Sequence, residues 1–231
     1  MIINVANAQL FQAIVSGGLN LAQVEGDEVS GFYKAGLTAG VGVMMPLQPS
    51  NLKSAWRASL ELIYNQRGAY EKVIFTTKAP FGYSLKLHYI DIPVMVHYKE
   101  PRMDFMLGVG FQYGRMFQKY EQWKLPEPPK LGLYRPLDTN KLPNFNNNEL
   151  SIVVDARFRI WQRLKCGIRW QYGLTSIRSD VAFSNGMEYG TDGYYEVKRD
   201  YHNHWLTLRL IYVINERLTT EKDRNINRNR Y

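Results

Sequence analysis

Residues 150–160 read Leu-Ser-Ile-Val-Val-Asp-Ala-Arg-Phe-Arg-Ile, a run in which apolar and polar side chains alternate. Successive side chains of a β-strand point to opposite faces, so this stretch predicts a strand with one apolar face and one charged face. The apolar face carries Leu150, Ile152, Val154, Ala156, Phe158 and Ile160, and the other carries Ser151, Asp155, Arg157 and Arg159. A tilted strand needs about 9–11 residues to cross the apolar core of a bilayer, and this segment is long enough.

The same alternation recurs along most of the chain. The eight predicted strands cover approximately residues 12–23, 35–45, 55–67, 85–98, 104–116, 150–160, 165–178 and 203–216. Connections after the second, fourth and sixth strands are short, whereas those after the third, fifth and seventh run through residues 68–84, 117–147 and 179–202. This plan predicts an all-β fold, an eight-stranded antiparallel up-and-down transmembrane β-barrel of the bacterial outer membrane, with both termini in the periplasm.

Composition narrows the class of protein. Hydrophobic residues make up 45% of the 231-residue chain, which excludes a disordered protein. The mean hydropathy is −0.36 and no apolar run reaches the roughly 18 residues of a spanning helix. The net charge of +8 is not accompanied by a recognisable nucleic-acid-binding module, so no nucleic-acid partner is predicted. The single cysteine, Cys166, allows neither an internal disulfide nor a metal cage.

The ends of the chain suggest a simple domain organisation. Ala6-Asn7-Ala8 before Gln9 has the small-x-small pattern that signal peptidase cleaves. The sequence therefore predicts the end of a signal peptide at residues 1–8, the barrel at 9–217 and a polar periplasmic tail at 218–231.

Aromatic residues bracket several of the predicted strands. Trp56 and Tyr64 lie eight residues apart, as do Phe105 and Tyr113, a spacing of roughly 21 Å along the membrane normal for a tilted strand. The predicted aromatic girdle consists of Trp56, Tyr64, Tyr98, Phe105, Tyr113, Trp170 and Tyr212. The alternative is a soluble, lipocalin-like barrel whose apolar face points inward; the loop alternation and the girdles favour the membrane.

The polar faces of the strands should fill the lumen. Eight strands enclose just enough space for their own side chains, so no open pore is expected. The charges assigned inward are Arg57, Glu61, Asp91, Asp155, Arg157, Arg159, Arg169 and Arg209. Unpaired charges in such a lumen would be costly, so these residues are predicted to form a salt-bridged network that stabilises the barrel.

Catalytic and metal sites are the alternatives to these structural roles. His202 and His204 have the spacing of a metal pair near Asp200, but they lack a convincing third ligand. Asp91 and His97 share a face but are separated by about 20 Å along the strand, too far for a triad. We predict no enzyme activity, no catalytic residue, no metal, no cofactor and no small-molecule substrate.

Several motifs resemble the PorT-like family of small outer-membrane β-barrels. They are Gly18-Leu19-Asn20, Gln23-Val24-Glu25-Gly26-Asp27, residues 31–37 (GFYKAGL), residues 60–68 (LELIYNQRG), residues 87–93 (LHYIDIP) and residues 108–114 (GVGFQYG). The resemblance covers residues 16–116 by motif and the remainder by strand pattern. It implies a part in type IX protein secretion and gliding motility, with other secretion components as partners beside the membrane lipid. The prediction is a docking accessory of secretion, and the alternative is a structural or adhesive surface barrel.

Overall fold

The computed structural model describes residues 11–26, 31–48, 55–71, 82–100, 104–124, 135–136, 143–187 and 194–216. The strands in this part of the chain are β1 (Gln12–Glu25), β2 (Lys34–Pro46), β3 (Trp56–Arg67), β4 (Tyr70–Glu71), β5 (Gly82–Glu100), β6 (Phe105–Lys124), β7 (Arg135–Pro136), β8 (Asn148–Trp161), β9 (Leu164–Gly173), β10 (Arg178–Met187) and β11 (Tyr194–Val213). None of the described residues belongs to a helix long and apolar enough to cross a membrane.

Eight of these strands close into a barrel. The wall runs β1, β2, β3, β5, β6, β8, β9, β11, and every neighbouring pair is antiparallel. β11 then pairs with β1, from Ile14 opposite Val213 to Glu25 opposite His202. Closure removes the exposed edges that a flat sheet would leave. The predicted eight-stranded barrel is confirmed.

The two faces of the wall are chemically opposite. Outward side chains are apolar and exposed, as at Val109 (60%) and Leu208 (55%). Inward side chains next to them in sequence are buried and mostly polar, as at Thr207 and Arg209. The soluble alternative, with its apolar face inward, is therefore wrong.

Strand ends differ most from the prediction at one end of the barrel. We call this the loop end. We call the opposite end the turn end; it carries the connections 47–55, 101–104 and 162–163. β6 continues to Lys124 and β11 begins at Tyr194. Both strands extend beyond their predicted ends because the added residues lack the hydrophobic alternation from which the ends were predicted. Above the wall β10 pairs with β11 and β7 with β10, while β4 pairs with β5.

The seventh and eighth predicted strands extend beyond the observed ones. Thr175, in the predicted seventh strand, is exposed beyond the end of β9 at Gly173. Asn215 lies beyond β11, where its Oδ1 accepts a hydrogen bond from the Ala13 amide at 2.8 Å and its Nδ2 donates to the Phe11 carbonyl at 2.5 Å. Asn215 thus ties the end of the last strand to the start of the first.

Candidate functional site

The middle of the lumen holds a cluster of five charged side chains, the central cluster. Glu61 accepts hydrogen bonds from Arg157 (2.7 Å), Arg169 (2.9 Å) and Arg209 (2.6 Å). Asp155 makes ion pairs with the same three arginines at 2.6, 3.2 and 2.8 Å. The five side chains are at most 2% exposed. Each guanidinium thus bridges both carboxylates, which is the pairing that buried charges require.

The strand register brings these residues together. Asp155 of β8 lies directly opposite Arg169 of β9. Gly167, one step along the same face of β9, lies between Arg157 of β8 and Arg209 of β11. Because glycine has no side chain, both long guanidinium groups have room to turn into the lumen.

A second charged group, the upper cluster, lies nearer the loop end. Arg67 makes ion pairs with Asp91 and with Glu149, the latter at 2.8 Å, and all three side chains are fully buried. The guanidinium carbon lies 3.6 Å from the centre of the Trp205 ring and 4.3 Å from that of Tyr89. Arg67 is therefore held by two charges and by two aromatic faces, an arrangement that suits its weakly hydrated planar cation.

The two clusters balance each other in formal charge. The central cluster has three arginines against two carboxylates, and the upper cluster has one arginine against two. Together they hold four of each sign. This balance matters for stability because a buried charge without a partner of opposite sign loses its hydration and gains nothing in return.

A third group, the rim cluster, lies at the turn end. Glu216 pairs with Arg159 and Lys165, each at 2.9 Å, and Asp104 pairs with Lys99 and Arg159, each at 3.1 Å. Burial would raise the pKa of Glu216, but the charges of Lys165 and Arg159 outweigh it, so this pKa lies below its usual value. The pKa of Asp104 is lowered in the same way, with Lys99 the stronger of its two cations.

Apolar side chains close the lumen on both sides of the ionic layers. Toward the loop end the cap consists of Val24, Ala69, Leu85, Leu87, Tyr89, Met116, Phe145, Ile177, Val181 and Tyr201. Toward the turn end the plug consists of Ile14, Met44, Met106, Ile211 and Val213. The described residues thus form a filled barrel rather than an open pore, as expected for eight strands.

The predicted girdle residues separate into two groups by height. Trp56, Tyr98, Phe105 and Tyr212 lie near the turn end, and Tyr64, Tyr113 and Trp170 lie nearer the loop end. Trp56 and Tyr98 face each other across β3 and β5 in an edge contact, with ring centres 5.3 Å apart. Trp161, which the prediction did not include, is 69% exposed at the tip of the β8–β9 turn.

Residues 7–179 match the model of one protein family, described as the outer membrane protein beta-barrel domain. The chain belongs to this family. It is an outer-membrane β-barrel protein, and its expected place in the bacterial outer membrane is confirmed.

Solved outer-membrane barrels resemble this one at low sequence identity. Ail, the attachment invasion locus protein of Yersinia pestis, is 12% identical with a TM-score of 0.40, over 88% of this chain and 98% of that one. A major outer membrane protein from Thermus thermophilus is 11% identical with a TM-score of 0.42, over 88% and 99%. Neisserial surface protein A is 9% identical with a TM-score of 0.41, over 87% and 97%. A comparison with curated protein sequences found no match.

The barrel distributes the eight predicted lumen charges over separate groups. Glu61, Asp155, Arg157, Arg169 and Arg209 meet in the central cluster, Asp91 lies in the upper cluster, Arg159 lies in the rim cluster, and Arg57 donates a hydrogen bond to Gln12 at 2.6 Å. The prediction omitted Arg67, Glu149, Asp104, Lys165 and Glu216. The alternation of faces could have found four of them, because Arg67 shares a face with Glu61, Glu149 with Ser151, Asp104 with Gly108, and Lys165 with Arg169.

The two histidines considered as metal ligands face outward near the loop end of the barrel. His204 accepts a hydrogen bond from the Trp170 indole at 2.6 Å, and Nδ1 of His202 lies 3.1 Å from the Gly173 carbonyl oxygen. In the described ranges, no three His, Cys, Asp or Glu residues are placed to hold a metal ion. Each histidine instead contacts another residue of the barrel wall.

Asp91 and His97, the pair compared with a catalytic triad, do not contact each other. His97 Nε2 is 2.8 Å from the Ser59 hydroxyl, and both side chains are buried in the lumen. Asp91 is held by Arg67 in the upper cluster instead. Nucleophilic chemistry requires a hydroxyl that a substrate can reach, whereas among the described residues the Ser59–His97 pair is enclosed by the packed lumen.

Proposed function

We propose that this outer-membrane barrel is a non-enzymatic docking protein, an accessory component of type IX protein secretion. The observation that supports the proposal best is the filled lumen, because a barrel with a packed interior acts through its surfaces. The resemblance of residues 16–116 to PorT-like barrels supports the secretion role. Neither a nucleic acid nor a small-molecule substrate is part of the proposal.

In this proposal the lumen clusters keep the wall rigid and the aromatic girdles anchor it. Arginine–carboxylate pairs that connect β3, β8, β9 and β11 would resist deformation of the barrel. The rings of Trp56 and Tyr98 at the turn end, and of Tyr64 and Tyr113 toward the loop end, suit the two membrane interfaces. A rigid anchor of this kind presents a partner with a pre-organised surface, which lowers the entropic cost of binding.

The test is the secreted proteome of a strain that lacks the gene. We expect the loss of many exported proteins and their return on complementation with the intact gene. A second complementing gene should carry Trp161→Ala, because Trp161 is the exposed aromatic at the turn end and aromatic anchors dominate protein interfaces. This variant should reach the membrane in normal amount but restore secretion only in part.

An unchanged secreted proteome in the deletion strain would contradict the secretion role. The second candidate is then a structural or adhesive surface barrel, which the β10–β11 hairpin favours because it rises above the wall at the loop end. Its Lys198 and Asp200 are exposed. Binding of cells to a surface should in that case fall with the deletion and with changes in this hairpin.

A further inference from the structure

The outer wall carries a polar depression at the loop end. It has a volume of about 580 Å³ and spans β2, β5 and β6. Its lining includes Lys34, Lys86, His88, Gln118, Tyr120 and Gln122. Directly below it on the same wall the outward residues are apolar again, at Ile90 and Ile92. The depression therefore opens sideways where the apolar band ends.

No acidic residue balances the charge of this depression, although the Lys34 ammonium lies 6.0 Å from the centre of the Tyr70 ring. Lys34 and Lys86 line it together and repel each other. None of its lining residues is acidic, and neither lysine makes an ion pair with another residue in the described part of the chain. Two like charges in a partly desolvated recess cost free energy, which an anion placed between them would remove.

His88 forms a fixed polar floor for the depression. Its side chain is 9% exposed, with the rings of Phe117 and Tyr120 each 6.0 Å away. The Tyr64 hydroxyl accepts a hydrogen bond from Gln66 Nε2 at 2.8 Å and lies 2.7 Å from Nδ1 of His88. In the tautomer with the proton on Nε2, the Tyr64 hydroxyl donates to Nδ1.

The chain of contacts from Gln66 through Tyr64 to Nδ1, here called the relay, bears on the role of the other ring nitrogen of His88, Nε2. A neutral histidine that accepts at Nδ1 carries its proton on Nε2, which is then a donor. The Nε2 atom of His88 is buried and has no hydrogen-bond partner. In this tautomer the depression combines two ammonium groups with a lining histidine whose Nε2–H has no acceptor.

We propose that this depression binds the phosphate group of an outer-leaflet lipid. A phosphate offers several acceptor oxygens and negative charge, which match Lys34, Lys86 and the His88 donor. A lipid is favoured over a soluble anion because the recess opens onto the wall, where Ile90 and Ile92 can contact the acyl chains of the same molecule. The site does not depend on a role in secretion.

The experiment measures lipid binding to the full-length barrel in neutral detergent by native mass spectrometry. The probes are lipid A, the same lipid after removal of its phosphates, and inorganic phosphate alone. The test variant is Lys34→Gln/Lys86→Gln, and the matched control is Lys119→Gln/Lys198→Gln, which removes the same charge from the loop end outside the depression. Gel migration without boiling shows whether each variant is folded.

We expect the test variant to bind phosphorylated lipid at least about tenfold more weakly than wild type, because it loses two charge-assisted contacts. The control should bind like wild type, and the dephosphorylated lipid should bind weakly to all three proteins. Tyr64→Phe, which removes the relay to His88, should cause a smaller loss.

Three results would overturn the proposal. They are equal binding by the test and control variants, equal binding of the two lipids to wild type, and binding of inorganic phosphate as tight as that of the lipid.

Discussion

At the scale of single residues, Glu61 and Arg169 of the central cluster differ in importance. Glu61 meets three guanidinium groups, whereas Nε and Nη1 of Arg169 have no hydrogen-bond partner. Glu61→Gln would leave three arginines facing one carboxylate, which should cost about 3–5 kcal/mol of unfolding free energy. Arg169 contacts both carboxylates through Nη2 alone, so Arg169→Gln removes fewer hydrogen bonds and should cost less than half as much. Urea titration of the refolded barrel in detergent measures both values.

The double variant provides the control for this comparison. Because Glu61 and Arg169 contact each other at 2.9 Å, their effects should not add, and Glu61→Gln/Arg169→Gln should lose less stability than the sum of the single variants. Equal losses from the two single variants would show that the number of hydrogen bonds a charged side chain makes in the cluster does not govern stability.

At the scale of elements, the rim cluster connects the strand ends of the turn end. Asp104 precedes β6, Arg159 belongs to β8, Lys165 to β9, and Glu216 follows β11. Both acids have a pKa below their usual values, so their pairs stabilise the folded state above the ordinary carboxyl range near pH 4. This stability falls as the pH drops through that range toward the lower folded pKa, because the unfolded chain takes up protons first.

A comparison with Asp104→Asn/Glu216→Gln isolates this effect. The asparagine retains the left-handed backbone of Asp104, whose φ is 49°. Between pH 7 and pH 4 the wild type should lose about 1 kcal/mol more than the variant, since these pairs are partly solvated. The buried acids of the lumen are common to both proteins and cancel in the difference. Identical losses in urea titrations at the two pH values would contradict a role for the rim cluster.

The elements also show what the sequence predicts well. Alternation located all eight wall strands, because within the apolar band the outward residues are apolar whereas most of their inward neighbours are polar or glycine. Above the band the sequence of β6 and β11 no longer alternates between apolar and polar residues, so the pattern could not locate Lys124 or Tyr194 as strand ends. The ion pairs were harder to predict from the sequence. The partners of Arg67, for example, depend on which strands bring a carboxylate to the same height of the lumen. Asp91 and Glu149 come from strands that are not adjacent in the wall.

At the scale of the whole molecule, the orientation in the membrane decides which partners can reach each end. The longer connections lie at the end that carries the polar depression, and in outer-membrane barrels the longer loops face the exterior. This orientation gives the depression access to the outer leaflet and exposes Trp161 to the periplasm. Both proposals therefore rest on the same arrangement, which can be tested without reference to function.

Cysteine labelling of intact cells tests the orientation. In a Cys166→Ser background, Lys198→Cys places a thiol at the loop end and Leu47→Cys places one at the turn end; both native side chains are exposed. A maleimide that does not cross membranes should label the Lys198→Cys variant in intact cells and the Leu47→Cys variant only after the outer membrane is opened. Labelling in the reverse order would place the depression in the inner leaflet, where it could not meet an outer-leaflet phosphate, and would leave the β10–β11 hairpin rather than Trp161 facing the partners of the periplasm.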